Sequence, residues 1–175
     1  MKRLLVPLAG LALIGSGFAA GITVTAAADD SSTSTTAVTV TRQSLAEVKN
    51  PPGAKGRTLG LSKVVVMPGA ELASHHHPGM QLGYIAEGAL TYTVEKGWAK
   101  IMSGPGDNGK LVHKITAGET IKVKTGQWLI EQQDEVHHAR NAGSVPIVIY
   151  ITTLLRNGQP AAISNVPTPT ATATE

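Results

Sequence analysis

Histidines are the residues of this chain whose spacing indicates chemistry. The 175-residue sequence contains six of them, and five lie in two short clusters, His75-His76-His77 and His137-His138. Successive side chains on a β-strand point to opposite faces, so His75 and His77 would share one face and His76 would lie on the other. In the second cluster the same alternation lets His137 or His138 face inward, but not both.

Imidazole nitrogen is a good ligand for several transition metals. Two histidines at positions i and i+2, joined by a third from a distant strand, can occupy one side of a metal ion. The remaining positions then stay open, which is typical of a reactive site rather than a structural one. The turn dipeptide Pro78-Gly79 would bring Gln81 back within reach of the same face. The competing interpretation is that these histidines are polar side chains on surface strands.

The segments that must position these histidines are predicted to be β-strands. Short apolar runs bounded by Gly, Pro or Asn occur at 59–67, 81–86, 90–94, 112–115, 120–123, 128–130 and 145–154. Such a series predicts an all-β barrel or sandwich. Residues 45–48 could form one helical turn. The glycine-rich stretch within 98–113 predicts a loop, either a lid over a site or the end of a long hairpin.

Both ends of the chain differ from its centre. Residues 1–28 have the charged start, apolar run and Ala-x-Ala end of a secretory signal peptide, which predicts export to the periplasm or the extracellular space. A retained membrane anchor is the alternative, although proline and glycines interrupt the run. Residues 29–40 predict a disordered polar linker, 41–156 the β-barrel domain, and 157–175 a disordered Pro/Thr/Ala-rich tail.

Composition excludes several classes of function. The sequence has no cysteine, which rules out disulfides, thiolate metal sites and cysteine nucleophiles. The formal charge is +3, and loss of Lys2 and Arg3 with the signal peptide would leave 13 basic and 12 acidic residues. Nucleic-acid and anionic-membrane partners are not expected at that charge. Aromatic residues make up only 3%, which also argues against base-stacking surfaces.

Two stretches resemble the conserved motifs of the cupin superfamily. Residues 69–88 (GAELASHHHPGMQLGYIAEG) are similar to the first motif, with its anchors at Gly69, His75, His77, position 81 and Gly88. Residues 126–141 (GQWLIEQQDEVHHARN) are similar to the second motif, with Gly126, His137 and Asn141 at the family spacing. Gln132 and Asp134 replace the usual proline and glycine of that motif.

The resemblance implies a cupin-type double-stranded β-helix, a jelly-roll barrel. It implies a divalent transition metal (Fe, Mn, Ni, Cu or Zn) inside the barrel, held by His75, His77 and His137. By strand alternation His76 and His138 then face outward. The three motif glycines would serve turns at positive φ, and Asn141 would hydrogen-bond to nearby backbone. Because edge strands need covering, a homodimer is the expected assembly.

Gln81 departs from the family pattern, which usually has Glu at this position. An amide is neutral and a poorer ligand than a carboxylate, so its presence would weaken metal retention and raise Lewis acidity. Gln81 is therefore either a weak fourth ligand or a hydrogen-bond donor to a bound water or substrate. A third alternative is that metal binding has been lost. On the sequence alone, Gln81→Glu would be expected to tighten metal binding.

The resemblance leaves the function open among three classes. The first is a metal-dependent, dioxygenase-like oxidoreductase that acts on a small molecule. The second is a non-catalytic module that binds a metal or a small ligand. The third, less favoured because few aromatics are available to stack on sugar rings, is a sugar isomerase or epimerase. No general base can be assigned, since nothing in the sequence places Tyr84, Glu87 or Glu131 in the pocket.

Overall fold

Twelve β-strands and one short 3-10 helix, Gly106–Asn108, make up residues 39–166, which are the residues that the computed structural model describes. The strands are β1 (Val40–Lys49), β2 (Arg57–Val66), β3 (Glu71–His76), β4 (Gly79–Glu87), β5 (Ala89–Lys96), β6 (Trp98–Ser103), β7 (Lys110–Thr116), β8 (Thr120–Lys124), β9 (Gln127–Glu131), β10 (Val136–Arg140), β11 (Ile147–Arg156) and β12 (Ile163–Ser164). Each of the seven predicted strand segments overlaps one of them.

These strands form two antiparallel sheets. The larger sheet has the order β1-β2-β11-β4-β9-β6-β7, and the smaller has the order β12-β3-β10-β5-β8. Strand β4 shows why the sheets face one another, because Gln81, Gly83 and Ile85 are buried while the intervening side chains are exposed. This period of two places one face of a strand in the interior and the other in solvent. The all-β jelly-roll prediction is confirmed.

The hydrophobic core lies between the two sheets and is almost entirely aliphatic. The larger sheet contributes Val64, Val66, Ile85, Ile101, Ile115, Leu129, Ile147, Ile149 and Ile151, and the smaller sheet contributes Leu90, Tyr92, Val94, Val123 and Ala139. Among the described residues Tyr92 is the one aromatic side chain in this cluster. β-Branched side chains suit the pleated surface of a strand, which is why runs rich in Val and Ile form these elements.

The motif residues outside the histidine clusters have the structural roles that the resemblance implied. Gly69, Gly88 and Gly126 all have positive φ values, at 78°, 76° and 83°. Asn141 is buried, and its Nδ2 donates to the backbone oxygens of Val66 (2.9 Å) and Val145 (2.8 Å). Its side chain therefore joins the loop before β11 to the end of β2.

Two local predictions within the barrel were wrong or incomplete. Residues 45–48 form no helical turn, because they belong to β1 and pair with β2 along its length. Pairing with a neighbouring strand outweighs the helix propensity of a four-residue segment. The stretch 98–113 is the end of a hairpin, since β6 and β7 pair and leave only residues 104–109 between them. That turn packs beside Trp128, whose Nε1 donates to the backbone oxygen of Gly104.

The predicted boundary of the C-terminal tail also needs correction. Residues 157–166 were expected to be disordered, but they follow the barrel wall and include β12, which pairs with β3. The apolar and backbone contacts that order this segment are long-range and cannot be recognised from its composition. The remaining tail, the predicted signal peptide and nearly all of the predicted linker lie outside the described residues. Between residues 39 and 166, no helix is long and apolar enough to span a membrane.

The start of β4 provides a test of this packing. A side chain at Gly79 would place its Cβ less than 3 Å from the backbone of Leu154 and Leu155, whereas a Cβ at Gly83 would meet only Ile149 Cγ2 at 3.7 Å. We expect Gly79→Ala to lower the free energy of unfolding by about 1–3 kcal/mol, the usual range for overpacking. Gly83→Ala, on the same strand, should be close to neutral in the same denaturant titration. Equal stability of the two variants would contradict the close pairing of β4 with β11.

Candidate metal centre

Three histidine side chains meet at one end of the space between the sheets. His75 lies near the end of β3, His77 directly follows that strand, and His137 lies on β10 opposite His75 in the strand register. One ring nitrogen from each lies within 4.8 Å of the others. His77 and His137 are buried and His75 is partly exposed, so the cluster has one open side. The sequence prediction that these three residues come together is confirmed.

Backbone carbonyls fix the orientation of two of the rings. His75 Nδ1 donates to the backbone oxygen of Ala73, and His77 Nδ1 donates to that of Ala161, both at 2.6 Å. A neutral imidazole that donates through Nδ1 keeps its lone pair on Nε2. Each ring therefore presents Nε2 as the atom that can bind a metal. The acceptor for His77 comes from the segment after β11, which the sequence had assigned to a disordered tail.

The other three histidines lie outside this cluster. His76 Nδ1 is 3.0 Å from the side-chain oxygen of Asn165, and His138 Nδ1 is 2.6 Å from Glu95 Oε1 in an exposed pair. The predicted outward orientation of both is confirmed. His113, for which the sequence indicated no function, is on β7 with its Nε2 3.7 Å from a carboxylate oxygen of Glu119 at the surface.

Gln81 reaches the centre from the opposite sheet. The turn at Pro78-Gly79 takes the chain from β3 in the smaller sheet to β4 in the larger one, so the two strands are not a hairpin. Gln81 Nε2 lies 2.5 Å from Glu131 Oε2 and 3.2 Å from His77 Nε2. Its Oε1 is buried and has no hydrogen-bond partner among the described residues. The Gln81 side chain therefore donates through its amide nitrogen. Its amide oxygen could accept a hydrogen bond from, or bind to, a further group in the site.

Glu131 is the site residue that sequence reasoning did not locate. It is the last residue of β9, is only 4% exposed, and is directly opposite Gln81 in the strand register. Strand alternation could have placed it on the inward face with Leu129, but its pairing with β4 could not be deduced from the sequence. Tyr84 and Glu87, the other two candidates, are exposed.

The electrostatics of the cluster separate the histidines. Burial, reinforced by His137, lowers the pKa of His75 to about 4. Burial also lowers the pKa of His77. For His137, burial is outweighed by the carboxylates of Glu131 and Glu135, so its pKa is raised above the usual 6.5. Burial would raise the pKa of Glu131, but the neighbouring imidazoles and the Gln81 hydrogen bond reverse the effect and lower it.

A cavity of about 320 Å³ opens beside His75, His77 and Gln81. Its walls are largely apolar and include Leu72 and Ile149. Arg42, which projects from β1, is the one cationic side chain among the described residues that line it, apart from the histidines. The space is large enough for a small organic molecule and adjoins the open side of the histidine cluster.

The donor set is compatible with a divalent transition metal. Three clustered imidazoles suit Fe, Mn, Ni, Cu or Zn. Two of them are held by carbonyls, as metal-bound histidines usually are. A metal bound to His77 would replace the Gln81 amide, which lies 3.2 Å from Nε2 of that ring. The buried Gln81 Oε1 without a partner is a further sign that a polar or charged group completes the site.

The different pKa values predict how metal binding depends on pH. A ligand imidazole must be neutral, so protons compete first at His137, whose pKa is raised, and reach His75 only near pH 4. We expect the metal affinity to fall by about tenfold per pH unit below neutrality, as one proton is displaced. The fall should steepen towards pH 4. Chelator competition at several pH values would measure this, and a constant affinity between about pH 8 and pH 5 would contradict it.

The contact between His77 and Ala161 predicts a role for the C-terminal segment. A chain that ends at Gly158 lacks the carbonyl acceptor of His77, and loss of such a partner typically costs about 10- to 100-fold in metal affinity. A chain that ends at Val166 keeps every described contact and is the matched control. We expect the shorter chain to bind metal at least tenfold more weakly in a competition assay. Equal affinities would show that the segment does not orient the ring.

Comparisons with known proteins give similarities of structure only. The chain matches no profile of a known protein family, and it matches no curated protein sequence. A conserved protein of unknown function from Streptococcus pyogenes is 14% identical, with 70% of this chain and 79% of that chain covered and a TM-score of 0.46. A cupin 2 domain-containing protein from Halorhodospira halophila is 11% identical over 73% and 70% of the two chains, with a TM-score of 0.47. A cupin 2 conserved barrel domain protein from Leptotrichia buccalis is 16% identical, covers 66% of this chain and has a TM-score of 0.44; this chain spans 41% of its length.

The assignment of the fold depends on the chain's own features. Two antiparallel sheets face one another around a single core. The two motif segments meet at one end of the barrel, where they bring together His75, His77 and His137. Their glycines and Asn141 occupy the turns that the resemblance implied. This topology and the meeting of the two segments agree with the cupin-type jelly-roll fold that the resemblance implied.

Proposed function

We propose that this chain binds one divalent transition metal through His75, His77 and His137 and acts on a small molecule as a dioxygenase-like oxidoreductase. The observation that carries the proposal is the three-histidine cluster, whose ring nitrogens lie within 4.8 Å of one another beside an open cavity. Three protein nitrogens on one side of an ion leave coordination positions for a substrate oxygen and for dioxygen.

The residues around the cluster have complementary parts in this function. A bound metal would supply Lewis acidity and, if redox-active, electron transfer to dioxygen. The protein's own contribution is to keep His75 and His77 neutral through burial and to orient their rings through the carbonyls of Ala73 and Ala161. The apolar cavity wall would lower the dielectric constant around a bound substrate and strengthen its electrostatic interactions with the metal and Arg42.

Arg42 indicates the class of substrate. Its guanidinium and a bound metal would both attract an anionic oxygen, and Arg is well suited to such recognition because its donors form a rigid planar fork. The remaining wall includes Val64, Leu72 and Ile151 and would contact apolar parts of the molecule. A small, largely apolar compound with an enolate, phenolate or carboxylate oxygen fits this combination.

A non-catalytic binding module is the second candidate. None of the described residues that line the cavity is a carboxylate, and its two histidines would be occupied as metal ligands, so no free general base faces the space where a substrate would lie. A site that holds a metal or a small ligand without turnover needs no such base. The same observation disfavours isomerase or epimerase chemistry, which requires a group that moves a proton.

Metal analysis followed by oxygen uptake tests the proposed function. The full-length protein should contain about one transition-metal ion per chain, measured by mass spectrometry, and should consume oxygen with at least one member of a panel of catechols, diketones and flavonols. His137→Ala should abolish both properties. His138→Ala is the matched control, because that neighbouring side chain points away from the cluster to Glu95, and it should keep both.

Each outcome separates the candidate functions. Full metal occupancy in the His137→Ala variant would contradict the site assignment. A stoichiometric metal without oxygen uptake for any compound of the panel would favour the binding module over the oxidoreductase. Equal losses in the two variants would indicate a structural effect on the strand rather than the loss of a ligand.

A further inference from the structure

We propose that Glu131 is a fourth ligand of the metal centre and that Gln81 positions it. The centre would then hold three histidines and one carboxylate, with the carboxylate on β9 and not at the motif position on β4. This inference rests on the proposed function, because it needs the three histidines to bind a metal.

The carboxylate of Glu131 faces the metal-binding atoms of two of the histidines. Its Oε2 is 3.4 Å from His77 Nε2, and its Oε1 is 3.8 Å from His137 Nε2. Two ligand atoms at about 2.1 Å from one ion are about 3.4 Å apart at a tetrahedral angle and about 3.0 Å apart at an octahedral one. The spacing between the carboxylate and the imidazole nitrogens is therefore close to the spacing between ligands of a shared ion. An octahedral ion with these four protein ligands keeps two positions open.

The burial of Glu131 calls for a positive partner. A carboxylate that is 4% exposed loses most of its hydration and is stable only when it is paired or bound to a metal. Its hydrogen-bond donor is the neutral amide of Gln81. The groups beside it that could carry a positive charge are His77 and His137, and both must be neutral to act as ligands. Arg42 lines the adjoining cavity, but the described residues show no ion pair within 4.0 Å between it and Glu131. A divalent ion at the centre would provide the missing charge.

Gln81 and Glu131 form a complementary pair across two neighbouring strands. They are directly opposite one another in the register of β4 and β9, and Gln81 Nε2 donates to Glu131 Oε2 at 2.5 Å. An amide can donate to a carboxylate, whereas a second carboxylate at position 81 would repel it. The glutamine that departs from the motif thus supplies a neutral donor to the carboxylate at position 131.

This pairing changes the consequences drawn from the sequence. Without a carboxylate the centre would carry the full +2 charge of its ion, and Glu131 lowers that charge to +1, as the motif glutamate would have done. Gln81→Glu is then no longer expected simply to tighten metal binding. It would place two buried carboxylates within hydrogen-bond distance, and a proton would have to leave the pair before a metal could enter.

The test distinguishes a ligand from a nearby charge by comparing two metals. Carboxylate oxygen suits Mn²⁺, whereas imidazole nitrogen suits Zn²⁺. Loss of a carboxylate ligand should therefore lower the affinity for Mn²⁺ more than the affinity for Zn²⁺. Loss of a nearby negative charge should lower both affinities by the same factor. We expect Glu131→Gln to lower the Mn²⁺ affinity of the full-length protein at least tenfold in chelator competition, and the Zn²⁺ affinity by a smaller factor.

Glu135 provides the matched control. It is also a buried carboxylate beside His137, but it faces the opposite ring nitrogen, with Oε1 3.5 Å from Nδ1, and it accepts a hydrogen bond from the hydroxyl of Tyr92. Glu135→Gln should lower the two affinities by the same factor. An equal loss of Mn²⁺ and Zn²⁺ binding in Glu131→Gln, or no loss, would overturn the proposal.

Two further results keep the test decisive. If circular dichroism shows that Glu131→Gln does not fold, Glu131→Asp is the second variant. It keeps the negative charge, but its side chain is one methylene shorter, so the carboxylate oxygens lie farther from the metal. A wild-type ratio of Mn²⁺ to Zn²⁺ affinity in that variant would overturn the proposal, and a reduced ratio would support it. A wild-type protein that binds neither ion would instead contradict the proposed function, which separates the two failures.

Discussion

The hydrogen bond between Gln81 and Glu131 holds a buried negative charge beside the three clustered histidines. A buried carboxylate that loses its partner typically destabilises a protein by about 3–5 kcal/mol. The bond joins neighbouring strands of the larger sheet, while the histidines come from the smaller sheet. The two sheets must therefore lie at a distance that lets these polar side chains contact one another and also lets the adjacent aliphatic side chains pack.

The sequence was sufficient to predict those parts of the site that depend on local periodicity. The alternation of side chains on strands separated His75 and His77 from His76, and the motif spacing selected His137 over His138. These predictions succeeded because a strand has a period of two wherever one face is buried. Seven of the twelve strands between residues 39 and 166 were found for the same reason, as apolar runs between turn residues, whereas β1 and β6 were not.

The parts that could not be predicted depend on contacts between distant segments. Glu131 joins the site only because β9 pairs with β4 in one particular register, which no local pattern encodes. The segment after β11 has a composition typical of disorder, yet its Ala161 carbonyl accepts a hydrogen bond from His77, 84 residues away in the chain. Residues 45–48 have a local preference for helix that pairing with β2 overrides. In each case a tertiary contact outweighs the local preference.

The polar cluster also explains why this end of the barrel is suited to function rather than to stability. A core of aliphatic side chains in place of these histidines and Glu131 would avoid the cost of burying polar groups, and such replacements often stabilise a protein. The chain instead keeps His77 and His137 buried and His75 half-buried. The pKa of His75 is lowered to about 4, so that this ring stays neutral over the whole physiological range. Neutral, oriented imidazoles are what a metal requires before it arrives. Polar groups in place of good core packing are typical of positions where function outweighs stability. Here they produce a site that is prepared for a ligand.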